Sequence, residues 1–121
     1  MDSSRNTFSK EERLCGKNAI STLLAKGSFA KNGKISYCSA PNDAGLNRIM
    51  ISVSKKFFKR AVKRNLLKRR IREAYRKQKH LLDGQNIDLL IMYRTKEILT
   101  YDEIYTGIGQ ILESLDKDAG Q

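Results

Sequence analysis

Between Lys55 and Lys79 the chain reads KKFFKRAVKRNLLKRRIREAYRKQK, a window with 13 of the 24 Lys and Arg residues and one acidic residue, Glu73. Its net charge of +12 leaves the rest of the chain near −1, against a total of +11. Apolar residues recur inside this run at helical spacing. Such a segment avoids burying charge by folding as an amphipathic helix with its apolar stripe inward. At about 100° per residue, Leu67, Ile71, Ala74, Tyr75 and Gln78 share one face, and Asn65, Arg69, Arg72 and Arg76 share the opposite one. Lys68 lies at the edge of the polar face, Arg64 nearer the apolar boundary, and Arg70 thickens the row further on.

A helix of this kind needs an apolar surface to sit on. With 121 residues, a single domain with a real core is expected. Upstream, Ile20, Leu23 and Leu24 fall at helical spacing between Lys17 and Lys26, and Gly27 supplies a stop. Lys34 to Ala40 alternates, with Ile35 and Tyr37 on one face and Ser36 and Cys38 on the other. Arg48 to Ser54 reads as a strand with Ile49, Ile51 and Val53 on one side. Pro41-Asn42-Asp43 and Gly45 between these two strands predict a turn, so the pair is expected to form a hairpin.

Downstream, Asp83-Gly84 is expected to end the basic helix. Ile87 to Tyr93 is a continuous apolar run apart from Asp88, as in a central strand. Thr100-x-x-Glu103 has the form of a capping box. It opens a last helix with Ile104, Ile108, Ile111, Leu112 and Leu115 at core spacing. Ser9-x-x-Glu12 has the same form, and residues after Asp116 are expected to be loose. The order predicts an α+β fold, an α/β two-layer sandwich with about three helices and a small central mixed sheet. Adjacent strands before and after the basic helix would make a β-α-β crossover.

The chemistry narrows by elimination. Cys15 and Cys38 form no CxxC pair and read as two ordinary thiols. His80 stands alone beside Lys79 and reads as solvated. The carboxylates are dispersed, with no H-E-x-x-H, Gly-rich phosphate loop or nucleophile elbow, which argues against a stand-alone nuclease. No run approaches a membrane span, and the first residues lack the apolar centre of a signal peptide, so a cytoplasmic protein is expected. The basic row has a positive rationale. Arg presents a planar fork matching phosphate and stays charged, while Asn65 offers both a donor and an acceptor. A merely solvated face would mix signs for pairing four residues apart. The row therefore points to nucleic acid.

The run Ser52-Val53-Ser54-Lys55-Lys56, then Ala61-Val62-Lys63-Arg64-Asn65-Leu66-Leu67-Lys68-Arg69-Arg70-Ile71-Arg72-Glu73, closely resembles the bacterial ribonuclease P protein component. The likeness extends to the early helix ending at Gly27, the strand with Arg48 and the start Leu99-Thr100-Tyr101-x-Glu103, covering about residues 8 to 115. It implies a left-handed crossover around the basic helix. It also implies a partner, a catalytic RNA that removes the 5′ leader from precursor tRNA, with Mg²⁺ held mainly by RNA and substrate. RNA contacts are then expected from Lys55, Lys56, Arg60, Lys63, Arg64, Asn65, Lys68, Arg69, Arg72 and Arg76. The leader is expected in a cleft of sheet and first helix, with Ile20, Leu24, Phe29, Tyr37, Arg48 and Ser52 as candidates. The sequence departs from the family pattern at Leu66, where Arg is frequent. It departs again at Ile20 and Leu24, where family members often carry aromatics. A non-catalytic RNA-binding protein of ribosome or ribonucleoprotein assembly is the alternative that bulk charge alone would allow.

Overall fold

A computed structural model describes residues 17–42, 47–82 and 86–119. Ser9, Glu12, Cys15, Asp43, Gly45, Asp83 and Gly84 lie outside them. In chain order the elements are α1 (Lys17–Lys26), β1 (Ser28–Asn32), β2 (Ile35–Pro41), β3 (Arg48–Val53), α2 (Ala61–Gln78), β4 (Ile87–Tyr93) and α3 (Tyr101–Ala119). A 3-10 turn, Lys79–Leu82, prolongs α2.

The strands form one mixed sheet in the order β1-β2-β4-β3. β2 pairs antiparallel with β1 and β4, and β3 pairs parallel with β4. The hairpin expected between β2 and β3 is therefore absent, because β4 lies between them. The reason is burial. β4 has almost no polar residue to show solvent, so it takes an inner position, whereas β3 tolerates an edge. Asp88, the polar exception in β4, is buried and receives Arg48 Nε at 2.7 Å and Nη2 at 2.9 Å. Asn42 Nδ2 adds a third donor at 2.8 Å.

The real hairpin is β1–β2, joined at Gly33-Lys34. Gly33 has φ +63°, a conformation costly for residues with a Cβ. Gly33 followed by Lys34 is the Gly-X form of a two-residue hairpin loop, although the flanking SFAKN lacks the apolar alternation that marks a strand. Gly27 ends α1 for a different reason from the one expected. It is not left-handed; rather, a Cβ there would lie 2.5 Å from both Cys38 Sγ and the Leu23 carbonyl oxygen.

The sheet is covered unequally. On one face Ile35, Tyr37, Ile49, Val53, Leu89, Ile91 and Tyr93 pack with Leu67, Ile71, Ala74 and Tyr75 of α2 and Ile104, Ile108, Ile111 and Leu112 of α3. All five residues expected on the inner face of α2 are buried there. The other face carries a smaller cluster, Leu23, Cys38 and Leu90, flanked by Ile20, Ala40, Met50 and Met92. α2 and α3 meet closely where Gly109 faces Gln78. The Gln78 amide donates to the carbonyls of Ala74 (3.2 Å) and Tyr105 (2.9 Å). The capping box at the start of α3 closes as expected. Thr100 N–H donates to Glu103 Oε1 at 3.0 Å, and Glu103 N–H donates to Thr100 Oγ1 at 3.2 Å. Among the described residues no helix is long and apolar enough to cross a membrane.

Candidate nucleic-acid interface

The parallel β3–α2–β4 unit fixes how the basic helix is displayed. Leu67, Ile71 and Tyr75 pin α2 to the sheet, so the residues half a turn away face solvent. Asn65, Arg69 and Arg72 are exposed along one line, and Lys68 borders it half-buried. Arg69 and Arg72 make no hydrogen bond or ion pair among the described residues. Lys55, Lys56, Arg60 and Lys63 are exposed around the start of the helix.

The remaining arginines of α2 are engaged within the chain. Arg76 gives Glu73 a two-pronged contact, Nε to Oε1 at 3.0 Å and Nη2 to Oε2 at 2.6 Å. The hydrogen bond from Arg76 holds the Glu73 carboxyl below the usual carboxylate range. Arg70 Nη1 donates to the Leu99 carbonyl at 2.7 Å. It therefore ties α2 to the segment before α3 and leaves the row it was expected to thicken. Arg64 Nη1 reaches two carbonyls, those of Phe58 and Lys59, each at 2.8 Å. Leu66 is half-buried at the flank of the row.

The helix begins without the usual acidic cap. Arg60 occupies the N-cap position in extended conformation, no side chain caps it, and the first turn holds no acid. Its N–H groups and the positive end of the helix dipole add to the lysine and arginine field. Before it, Ser54 folds the turn. Its carbonyl accepts the N–H groups of Phe57 (3.1 Å) and Phe58 (3.2 Å), and its hydroxyl accepts that of Lys56 at 3.0 Å. Phe58 is buried with its ring 5.9 Å from that of Tyr93, a core role.

A second surface lies on the opposite face of the sheet. α1 covers it only partly, so Ser36, Ala40, Met50, Ser52 and Met92 are half-exposed. Ile20 packs at the edge of the small cluster, Leu24 is 44% exposed and Phe29 59% exposed. Phe29 pairs with Cys38 across β1 and β2, so its ring lies on the α1 face. Arg48 and Ser52 share this face, Arg48 clamped to Asp88. Tyr37 does not. It is 7% exposed and packs under α2 and α3, because residues two apart share a strand face and Ile35 is buried there. Tyr37 is removed from the cleft candidates. Met50 and Met92 were missed, their signal being the alternation with Ile49, Ile51 and Ile91.

Cys38 is free and fully buried, its thiol facing the Leu23 carbonyl at 3.5 Å, and burial raises its pKa. His80 is exposed. Among the described residues no three His, Cys, Asp or Glu side chains gather as a metal-ligand set. The structure thus presents an exposed basic row on α2 and a half-exposed apolar-polar surface on the α1 face of the sheet.

Comparison with known proteins gives the same direction. The family profile described as Ribonuclease P matches residues 8–116. The ribonuclease P protein component of Porphyromonas gingivalis is 41% identical over 79 residues, a stretch covering 63% of this chain and 58% of that protein. That of Blochmanniella pennsylvanica is 35% identical over 97 residues, covering 80% and 83%. Among solved structures, the Staphylococcus aureus RNase P protein superposes with a TM-score of 0.72 at 25% identity, covering 85% of this chain and 94% of that one. The Thermotoga maritima RNase P protein has the same fold, with a TM-score of 0.75 at 24% identity over 85% of this chain and 96% of that one. With its basic helix on a β1-β2-β4-β3 sheet and a family match across most of its length, the chain belongs to the bacterial ribonuclease P protein family, the protein component of a ribonucleoprotein endoribonuclease.

Proposed function

We propose that Asn65, Lys68, Arg69 and Arg72, with Lys55, Lys56, Arg60 and Lys63 at the helix start, contact the ribonuclease P RNA. The α1 face of the sheet takes the single-stranded 5′ leader of precursor tRNA. The observation that carries this reading is the unpaired state of Arg69 and Arg72 among the described residues, on a helix whose only acid is held by Arg76. Exposed guanidinium forks without an acceptor among the described residues suit phosphate oxygens. Arg48, by contrast, is clamped by Asp88 and forms a fixed polar end to the leader cleft.

In this reading the chain supplies charge neutralisation and positioning. Among the described residues no His, Cys, Asp or Glu set gathers to hold a metal, and in this reading Mg²⁺ is held mainly by the RNA and substrate. The leader lies along Phe29, Leu24 and Ile20 beside the half-exposed methionines, with Ser36 and Ser52 as polar partners.

Reconstitution tests this directly. The chain is mixed with a bacterial ribonuclease P RNA at low Mg²⁺ and given precursor tRNA. Cleavage is expected to exceed that by RNA alone. No gain over RNA alone rejects the reading, and cleavage by the protein alone would place the chemistry in this chain.

A further inference from the structure

Arg64 stands at the front of the basic row, yet one of its nitrogens is already bonded. Nη1 donates to the carbonyls of Phe58 and Lys59, both at 2.8 Å. These are the two residues before the N-cap, Arg60. The turn they belong to carries four exposed cations, Lys55, Lys56, Lys59 and Arg60. Its first half is fixed by Ser54 and by the buried Phe58 ring. Among the described residues, the side-chain contact holding the backbone between Phe58 and the helix is Arg64.

We infer that Arg64 is a positioning residue, a strap that orders the 55–60 turn so that its cations extend the α2 row as one surface. This rests on the reading of that row as an RNA interface. The physical logic lies in the sign of the charge. Helix starts are ordinarily ordered by Ser, Thr, Asp or Asn accepting the free N–H groups. Such a cap would occupy those donors, and an Asp would put negative charge where phosphate must come. Arg64 orders the same junction from the other side, by donating to the carbonyls that precede it. The junction gains order and positive charge together.

A lysine at this position keeps the charge but lacks the planar fork whose Nη1 reaches both carbonyls. Arg64→Lys in the full chain therefore separates strap from charge. Amide exchange of Phe57, Phe58 and Arg64, referenced to Ile71 within α2, is expected to quicken in R64K; unchanged relative protection overturns the inference, whatever RNA binding shows. Affinity for a bacterial ribonuclease P RNA should fall about tenfold, the scale of losing charged hydrogen bonds, and the log–log salt slope should flatten although no formal charge is lost. The paired change Lys59→Ala/Arg60→Ala should then cost less in R64K than in the unaltered chain, since the turn no longer presents those cations. Additive losses, or an R64K affinity and slope equal to the unaltered chain, would make Arg64 an independent phosphate contact. Failure of the unaltered chain to bind RNA would reject the interface reading instead, leaving the exchange comparison to decide the strap.

Discussion

Arg69, Arg70 and Arg72 sit within one helical turn and do different work. Arg69 and Arg72 are exposed, whereas Arg70 is half-buried with its guanidinium on the Leu99 carbonyl. Arg69→Ala and Arg72→Ala should each weaken binding to ribonuclease P RNA and flatten the log–log salt slope by up to about one. Arg70→Ala should leave the slope nearly unchanged and lower folding stability by roughly 1 to 3 kcal/mol, measured by denaturant titration. Equal slopes for all three would mean that internal bonding does not sort them. On the other face, Phe29 is the exposed ring beside α1. Phe29→Ala should weaken binding of precursor tRNA by about 1 to 3 kcal/mol, the worth of one stacked base, without affecting leaderless tRNA. An equal effect on both substrates would remove Phe29 from the leader path.

At the scale of elements, the crossing of α2 and α3 decides how rigidly the row is held. Gly109 allows it: a Cβ there would come 2.4 Å from Gln78 Oε1. That atom ends a flexible side chain, but the Gln78 amide is buried and tied to the Ala74 and Tyr105 carbonyls. Gly109→Ala should therefore destabilise the fold by roughly 1 to 3 kcal/mol, as overpacking does, and calorimetry would read it. An unchanged melting temperature would show that Gln78 can swing clear. The sheet shows a similar division. β4 is buried and central, while β3 at the edge turns Arg48, Met50 and Ser52 toward the α1 face, so one strand order serves both the core and that half-exposed surface.

For the whole molecule, charge and pH are linked. Glu73 is held below the ordinary carboxylate value of 4.5 chiefly by its hydrogen bond from Arg76, and Glu103 by those from Thr100. A depressed folded-state value means stabilisation that is present above the unfolded value and lost as pH falls through the folded one. The melting temperature should thus drop on acidification below about pH 4.5, less steeply in Glu73→Gln and Glu103→Gln. Parallel acid profiles for all three proteins would contradict it. Protonation also raises a net charge already at +11, adding self-repulsion in the same direction. The sequence by itself determined the two faces of α2, the bounds of α1 and β4, the Thr100–Glu103 box and the family, because periodicity, caps and a fixed run of residues are local. Tertiary structure alone decided that β4 separates β2 from β3, that Tyr37 turns into the core, and that Arg64, Arg70 and Arg76 are held by carbonyls and a carboxylate while, among the described residues, Arg69 and Arg72 are not. Those outcomes depend on what lies across space from each residue, and equal charges on one helix differ only in the acceptors that folding brings to them.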